Sequence, residues 1–404
     1  MRGGGGTAAR LTIGLVAAAI AVVALTTVLL ATRDGPGATV DSGEYLAVAD
    51  GLRHGHGLTM PYVGYDEPYP EVVVPGQRVD LTVFPPLFPV AIAGASAATG
   101  AAPLTAARWV NALSYAVMTA LVVVLVAGAT GSVAFAALAG ALTIAPTFVY
   151  TASMAWSEPM MLAGSVATVA ALRTYLRCRA RAWLMATVVL AAVTSMVRFT
   201  GLAAVLGVAV VLLVAGGGTT RERWRRAAVA GGVGVLPEVA WFVRNTFVLG
   251  APSEKPLTWH PPGHGDLVRV ARTIASWFVR DTPDRRTAIG VVVVLLVFVA
   301  VARGIGAVRR RTVDWSSLPA VGAVFAIVYA AFVLAARVTF DNNIDLSTRQ
   351  LVALQVLVIV GVVSAAQSWR PPLRTIGLGL AGVVLVTGGF RLVSATVPDL
   401  PDTD

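Results

Sequence analysis

Asp41, Glu44 and Tyr45 open a short amphipathic stretch, and a second carboxylate, Glu158, sits between Trp156-Ser157 and Pro159. Arg198, Arg244 and Arg349 lie at the ends of apolar runs, His260 lies in a polar loop, and Glu238 falls inside an apolar run. Two carboxylates facing each other across a cleft can hold acceptor hydroxyls or a divalent cation. Capping accounts for the same residues more plainly. Asp41 or Ser42 suits a helix N-cap, and Glu158 with Pro159 suits a first turn. Glu238 is harder to place, because a bare charge inside a spanning helix costs about 2.5–3.5 kcal/mol. Pairing with Arg198 or Arg244 is the expected remedy.

Other chemistry finds little support. His54 and His56 are flanked by glycines and lack a third ligand at fixed spacing, so they read as solvated turn residues. His260 and His264 lack an HExxH context and are interrupted by Pro261-Pro262-Gly263, which argues against a helical zinc site. No GxSxG, P-loop or strand-linked GxGxxG occurs, so serine hydrolysis and nucleotide-powered work have no motif behind them. The one cysteine, Cys178, excludes an intramolecular disulfide and a CxxC metal site.

The elements that must position these residues are membrane helices. With 56% hydrophobic and 13% charged residues and a mean hydropathy of +0.76, the chain reads as an all-α polytopic membrane protein, a single integral domain over 1–404. The net charge of +10 comes from arginines clustered between apolar runs, the pattern of cytoplasmic loops rather than of a nucleic-acid surface. Residues 11–31 form a first helix, expected to be retained, with its N-terminus cytoplasmic. Further spans are expected near 104–127, 132–150, 157–176, 182–198, 200–216, 226–247, 288–308, 316–336, 350–367 and 373–393, about eleven in all. The 182–198 and 200–216 segments have almost no loop between them, and a re-entrant hairpin there leaves the topology unchanged.

The first outer loop, 34–103, contains the expected short helix, in which Tyr45, Val48 and Leu52 share a face and Gly55 or Gly57 ends it. Its tyrosines suit a membrane interface. The loop ends in Phe84-Pro85-Pro86-Leu87-Phe88-Pro89 and an apolar stretch to 102. That stretch is short for a crossing. If it crossed, Arg173, Arg177, Arg179 and Arg181, with Arg309, Arg310 and Arg311, would face outward against the positive-inside rule. It is therefore expected to lie in the interface or dip into it. Asp41, Glu44, Glu158, Arg198, Arg244, His260 in the second large outer loop (248–287) and Arg349 then share the extracytoplasmic face, as an assembled site requires.

The order of these motifs resembles the GT-C superfamily of polytopic glycosyltransferases. The residues that carry it are Asp41-x-x-x-Tyr45, Gly55-His56-Gly57-Leu58-Thr59, Phe84 to Pro89, Ser157-Glu158-Pro159, Arg198-Phe199-Thr200-Gly201, Trp241-x-x-Arg244-Asn245 and Ser347-x-Arg349. The nearest branches are protein O-mannosyltransferases, aminoarabinose transferases and rhizobial galacturonosyltransferase-like proteins. The resemblance implies transfer of a sugar from a polyprenyl-phosphate donor to a hydroxyl of a glycan, lipid or protein acceptor, outside the plasma membrane. It makes Asp41 the general base, assigns Arg349, then Arg244 and Arg198, to the leaving phosphate, and leaves Glu44, Tyr45, Glu158 and His260 as substrate-binding residues. It implies no cofactor beyond the divalent cation that some branches use. One departure stands out: Val83-Phe84 precedes the Pro-Pro pair where aminoarabinose transferases carry a basic residue.

A transporter or lipid flippase also has many helices and buried charges, but it tends to show repeats and midplane breaks, whereas here the ionisable residues concentrate in outer loops. A reporter fused at position 41 is expected outside the cytosol; a cytosolic signal overturns the topology.

Overall fold

The computed structural model describes residues 4–66, 69–250, 258–277, 313–340, 344 and 346–368. Within them the chain is mostly helical. The order is α1 (Gly4–Ala31), α2 (Val40–Arg53), β1 (Thr59–Asp66), β2 (Tyr69–Asp80), α3 (Leu87–Thr99), α4 (Pro103–Thr130), α5 (Val133–Leu142), α6 (Pro146–Ser153), α7 (Glu158–Cys178), α8 (Arg181–Ser195), α9 (Leu202–Ala215), α10 (Thr220–Val243), α11 (His264–Ser276), α12 (Leu318–Thr339) and α13 (Thr348–Ala366). Five of the described helices are long and apolar enough to cross a bilayer: α1, α4, α10 with its continuation to Val248, α12 and α13. This is a multi-pass membrane protein. The expected spans 288–308 and 373–393 lie outside the described residues.

The core runs between helices rather than through a soluble-type centre. α4 packs along α1 and α7, α7 along α8, and α12 along α13. Small residues allow the closest approaches, as in other membrane helices. A Cβ on Gly164 of α7 would run into the Thr194 hydroxyl of α8. Arg108 ties α4 to the end of α1, donating to the Leu29 carbonyl at 2.6 Å and to the Thr32 hydroxyl at 2.9 Å. The Leu29 carbonyl belongs to a helix C-terminus, where a cation satisfies groups left without partners.

Two sequence expectations are corrected and one element is added. The span expected over 132–150 is two helices, α5 and α6, bent by 54°. Pro146 opens the second, and its ring and missing N–H disfavour an uninterrupted helix through it. The cap of α2 is Thr39, not Asp41 or Ser42. The Ser42 hydroxyl accepts from the Thr39 amide at 3.0 Å, which moves Asp41 inside the first turn. The first loop also contains an antiparallel hairpin, β1–β2, with Thr59 opposite Asp80 and an irregular register further in.

The apolar stretch after Pro86 forms the 13-residue α3, about 20 Å long and short of the roughly 30 Å hydrocarbon core. α8 and the Phe199–Ala215 segment are also shorter than a full span. They meet at a break where Gly201 donates its amide to the Arg198 carbonyl at 2.7 Å. A Cβ on Gly201 would collide with the Thr194 carbonyl oxygen, which is backbone and cannot swing aside. Gly201→Ala should therefore cost about 1–3 kcal/mol and lower the melting temperature in detergent. Gly43→Ala, where a Cβ meets open space, should not.

Candidate active site

The chain after α1 is pinned to the turn between α6 and α7 before α2 begins. The Gly37 amide donates to the Ser153 carbonyl at 3.0 Å, and the Ala155 amide donates to the Gly37 carbonyl at 2.7 Å. The Trp156 indole N–H donates to the Thr39 hydroxyl at 2.9 Å, and the Asn111 amide of α4 holds the Met154 carbonyl at 2.6 Å. Two residues past Thr39 comes Asp41, and two past Trp156 comes Glu158. The two carboxylates, distant in sequence, are delivered to one place by a short backbone bridge and one indole.

Arg349, in the first turn of α13, joins them. Its Nη2 lies 2.7 Å from Asp41 Oδ2, its Nε donates to Glu158 Oε1, and its guanidinium carbon sits 4.4 Å from the centre of the Trp156 ring. Arg198 adds a second cation, with Nη1 3.1 Å from the same Glu158 oxygen. Burial separates the roles of the carboxylates. The Glu158 side chain is 1% exposed and that of Asp41 is 30% exposed. Glu158 is enclosed and fixes two arginines, while Asp41 still opens to an incoming group. A buried charge of this kind persists only when paired, and two guanidiniums supply the pairing.

Tyr45 lies one helical turn beyond Asp41. Its hydroxyl is 3.3 Å from the Ser157 hydroxyl, and its ring packs against Phe84 at 4.8 Å and Phe88 at 5.1 Å. Burial pushes its phenol up to about 12, so it remains neutral at physiological pH and does not compete as a base. The same ring carries the position of the Phe84–Pro89 turn to the ion network. Leu87 completes that link by donating its amide to the Met196 carbonyl, two residues before Arg198.

Arg244 is spent elsewhere. It binds Asp80 at 3.2 Å and the Leu81 carbonyl at 3.0 Å, and it stacks on Trp241 at 4.5 Å, while Asn245 donates to the Thr82 carbonyl at 3.1 Å. The pair clamps the strand that leads into Phe84. The expected pairing of Glu238 is corrected: Arg198 is taken by Glu158 and Arg244 by Asp80, and the Glu238 neighbour is the Ser195 hydroxyl. Glu44 is half-buried in α2 on the turn after Asp41. His260 is held through its amide on the Val338 carbonyl at 2.7 Å, at the end of α12, and among the described residues no contact joins its ring to the network.

A divalent cation does not fit this donor set. A guanidinium already occupies the space between Asp41 and Glu158, and among the described residues no three His, Cys, Asp or Glu side chains gather as ligands. Sequence reasoning missed Thr39, Trp156 as an arginine platform, and Asn245 as a clamp. Only the Trp156-Ser157-Glu158 and Arg244-Asn245 neighbourhoods gave a signal.

The fold is similar to that of ArnT, a GT-C glycosyltransferase. Residues 74–244 match the family model of dolichyl-phosphate-mannose-protein mannosyltransferases, a stretch that contains Glu158, Arg198 and Arg244 but neither Asp41 nor Arg349. The chain is similar to ArnT from Cupriavidus metallidurans bound to undecaprenyl phosphate, with a TM-score of 0.58 and 18% identity over 95% of this chain and 65% of that one. The apo form of that ArnT gives a TM-score of 0.56 at the same identity and coverage. This chain thus spans 65% of the length of ArnT. No curated protein matches it in sequence.

Replacing Glu158 with Gln should leave Arg198 and Arg349 crowded together without their shared counter-charge, at a cost of about 3–5 kcal/mol. A cycle with Arg198→Gln, read by thermal unfolding in detergent, should give a coupling energy above about 1 kcal/mol. Strict additivity would mean the pair is not coupled.

Proposed function

We propose that this protein is a glycosyltransferase that takes a hexose or pentose from a polyprenyl-phosphate donor and transfers it to an acceptor hydroxyl on the extracytoplasmic side of the membrane. The observation that carries the proposal is the part-exposed Asp41 held 2.7 Å from Arg349, with the buried Glu158–Arg198 pair behind it. The order of events follows from the charges. Asp41 accepts the proton of the acceptor hydroxyl as its oxygen bonds to the anomeric carbon. The bond from that carbon to the phosphate oxygen breaks, and the electron pair leaves with the polyprenyl phosphate. Arg349 and Arg198 meet that growing negative charge, since guanidinium binds phosphate oxygens in pairs and a fixed cation needs no reorganisation.

The family model over 74–244 and the polyprenyl phosphate carried by ArnT support a lipid-phosphate donor. The donor's prenyl tail is assigned to the face of the short apolar α3, with Phe84 and the buried Phe88 packed behind it. Both rings pack on Tyr45, one turn from the base, so the tail and the reacting carbon are kept at related depths. Glu158 is too enclosed to touch an acceptor, and its part is to hold the two arginines. Arg244 serves the site indirectly by fixing residues 80–82.

Asp41→Asn should reduce sugar transfer about a hundred- to ten-thousand-fold while leaving expression and the melting profile intact. The assay is product analysis of membranes supplied with a panel of radiolabelled polyprenyl-phosphate sugars. Unchanged transfer removes Asp41 from the mechanism, and consumption of none of the donors ends the donor assignment.

A further inference from the structure

At the other end of the bundle, the last turns of α4 and α7 enclose a cleft of about 510 Å³ that takes no part in the chemistry above. Its walls include Leu121, Val124 and Ala170, and its rim carries Arg173 and Arg177. Arg177 lies about 28 Å along α7 from Glu158, close to the thickness of a hydrocarbon core. The cleft and the ion network therefore lie at opposite ends of the bundle.

The two arginines are four residues apart on one helical face, so their charges oppose each other. Arg173 donates to the Gly128 carbonyl at 3.0 Å and to the Leu125 carbonyl at 3.5 Å, and Arg177 reaches the same Gly128 oxygen at 3.4 Å. These are contacts to the C-terminus of α4, which offers about half a negative charge against two full positive ones. Neither arginine pairs with a carboxylate among the described residues, and the buried Arg173 Nε has no hydrogen-bond partner. The carbonyls offset the two positive charges only in part, which leaves this rim attractive to an anion.

We propose that this cleft binds the headgroup of an anionic phospholipid, its phosphate on Arg173 and Arg177 and the first part of an acyl chain along Leu121 and Val124. The apolar walls decide between a lipid and a soluble anion, because inorganic phosphate gains nothing from them. The volume suits a headgroup with a few methylenes. The proposal is independent of the sugar-transfer reading.

The test uses the full chain purified in maltoside micelles and offered dioleoyl phosphatidylglycerol and dioleoyl phosphatidylcholine in equal amounts, with retained lipid read by native mass spectrometry. Phosphatidylglycerol should be retained about tenfold over phosphatidylcholine. The Arg173→Gln/Arg177→Gln double variant should lose that preference, and millimolar inorganic phosphate should not displace the lipid. Val124→Trp fills the apolar wall while keeping both arginines, and it should weaken retention even if the double variant does not fold. Equal retention of the two lipids, a preference that survives either variant, or displacement by phosphate would overturn the proposal.

Discussion

The structure depends on one enclosed carboxylate. Glu158 is almost wholly out of solvent, and a lone anion there would be expelled or neutralised, so its two guanidinium partners are conditions of the fold rather than additions to it. One partner arrives from the break between α8 and α9 and the other from the start of α13. Because the second also holds Asp41, the same constraint draws in the first outer loop. Four segments spread over most of the chain are fixed by charges that balance as two carboxylates and two arginines.

The surrounding packing serves that arrangement. The Gly37 bridge and the Trp156 indole deliver the start of α2, and the aromatic contacts of Tyr45 connect it to the turn before α3. Arg244 and Asn245 hold residues 80–82 from the far side. Bonds of this kind, made to backbone carbonyls, fix where a loop runs without caring what its side chains are. A loop of irregular sequence is thereby given a definite path over the membrane-facing helices.

Much of this was legible in the sequence, for physical reasons that differ by element. Long apolar runs announce spanning helices because a single segment in lipid can satisfy its backbone only within itself. The short length of α3 was legible from the prolines that flank it. Glu158 and Arg349 were visible as charged residues at the mouths of apolar helices. What stayed hidden depends on tertiary contact: that Arg349 bridges Asp41 and Glu158, that Arg244 is consumed by Asp80, and that Glu238 relies on neither arginine. The β1–β2 hairpin was hidden for another reason, since its valines and tyrosines read equally as an interfacial aromatic layer. The bend at Pro146 was written in the sequence, but hydropathy over a window blurs a single proline.

The position of Cys178 gives the molecule a property of practical value. It is the chain's one thiol, it is solvent-accessible, and it ends the helix that Glu158 begins. A rigid rod about 31 Å long therefore separates a natural alkylation target from the ionic centre. An impermeant maleimide that reaches the sulfur therefore reports, without engineered tags, on the end of α7 far from the ionic centre.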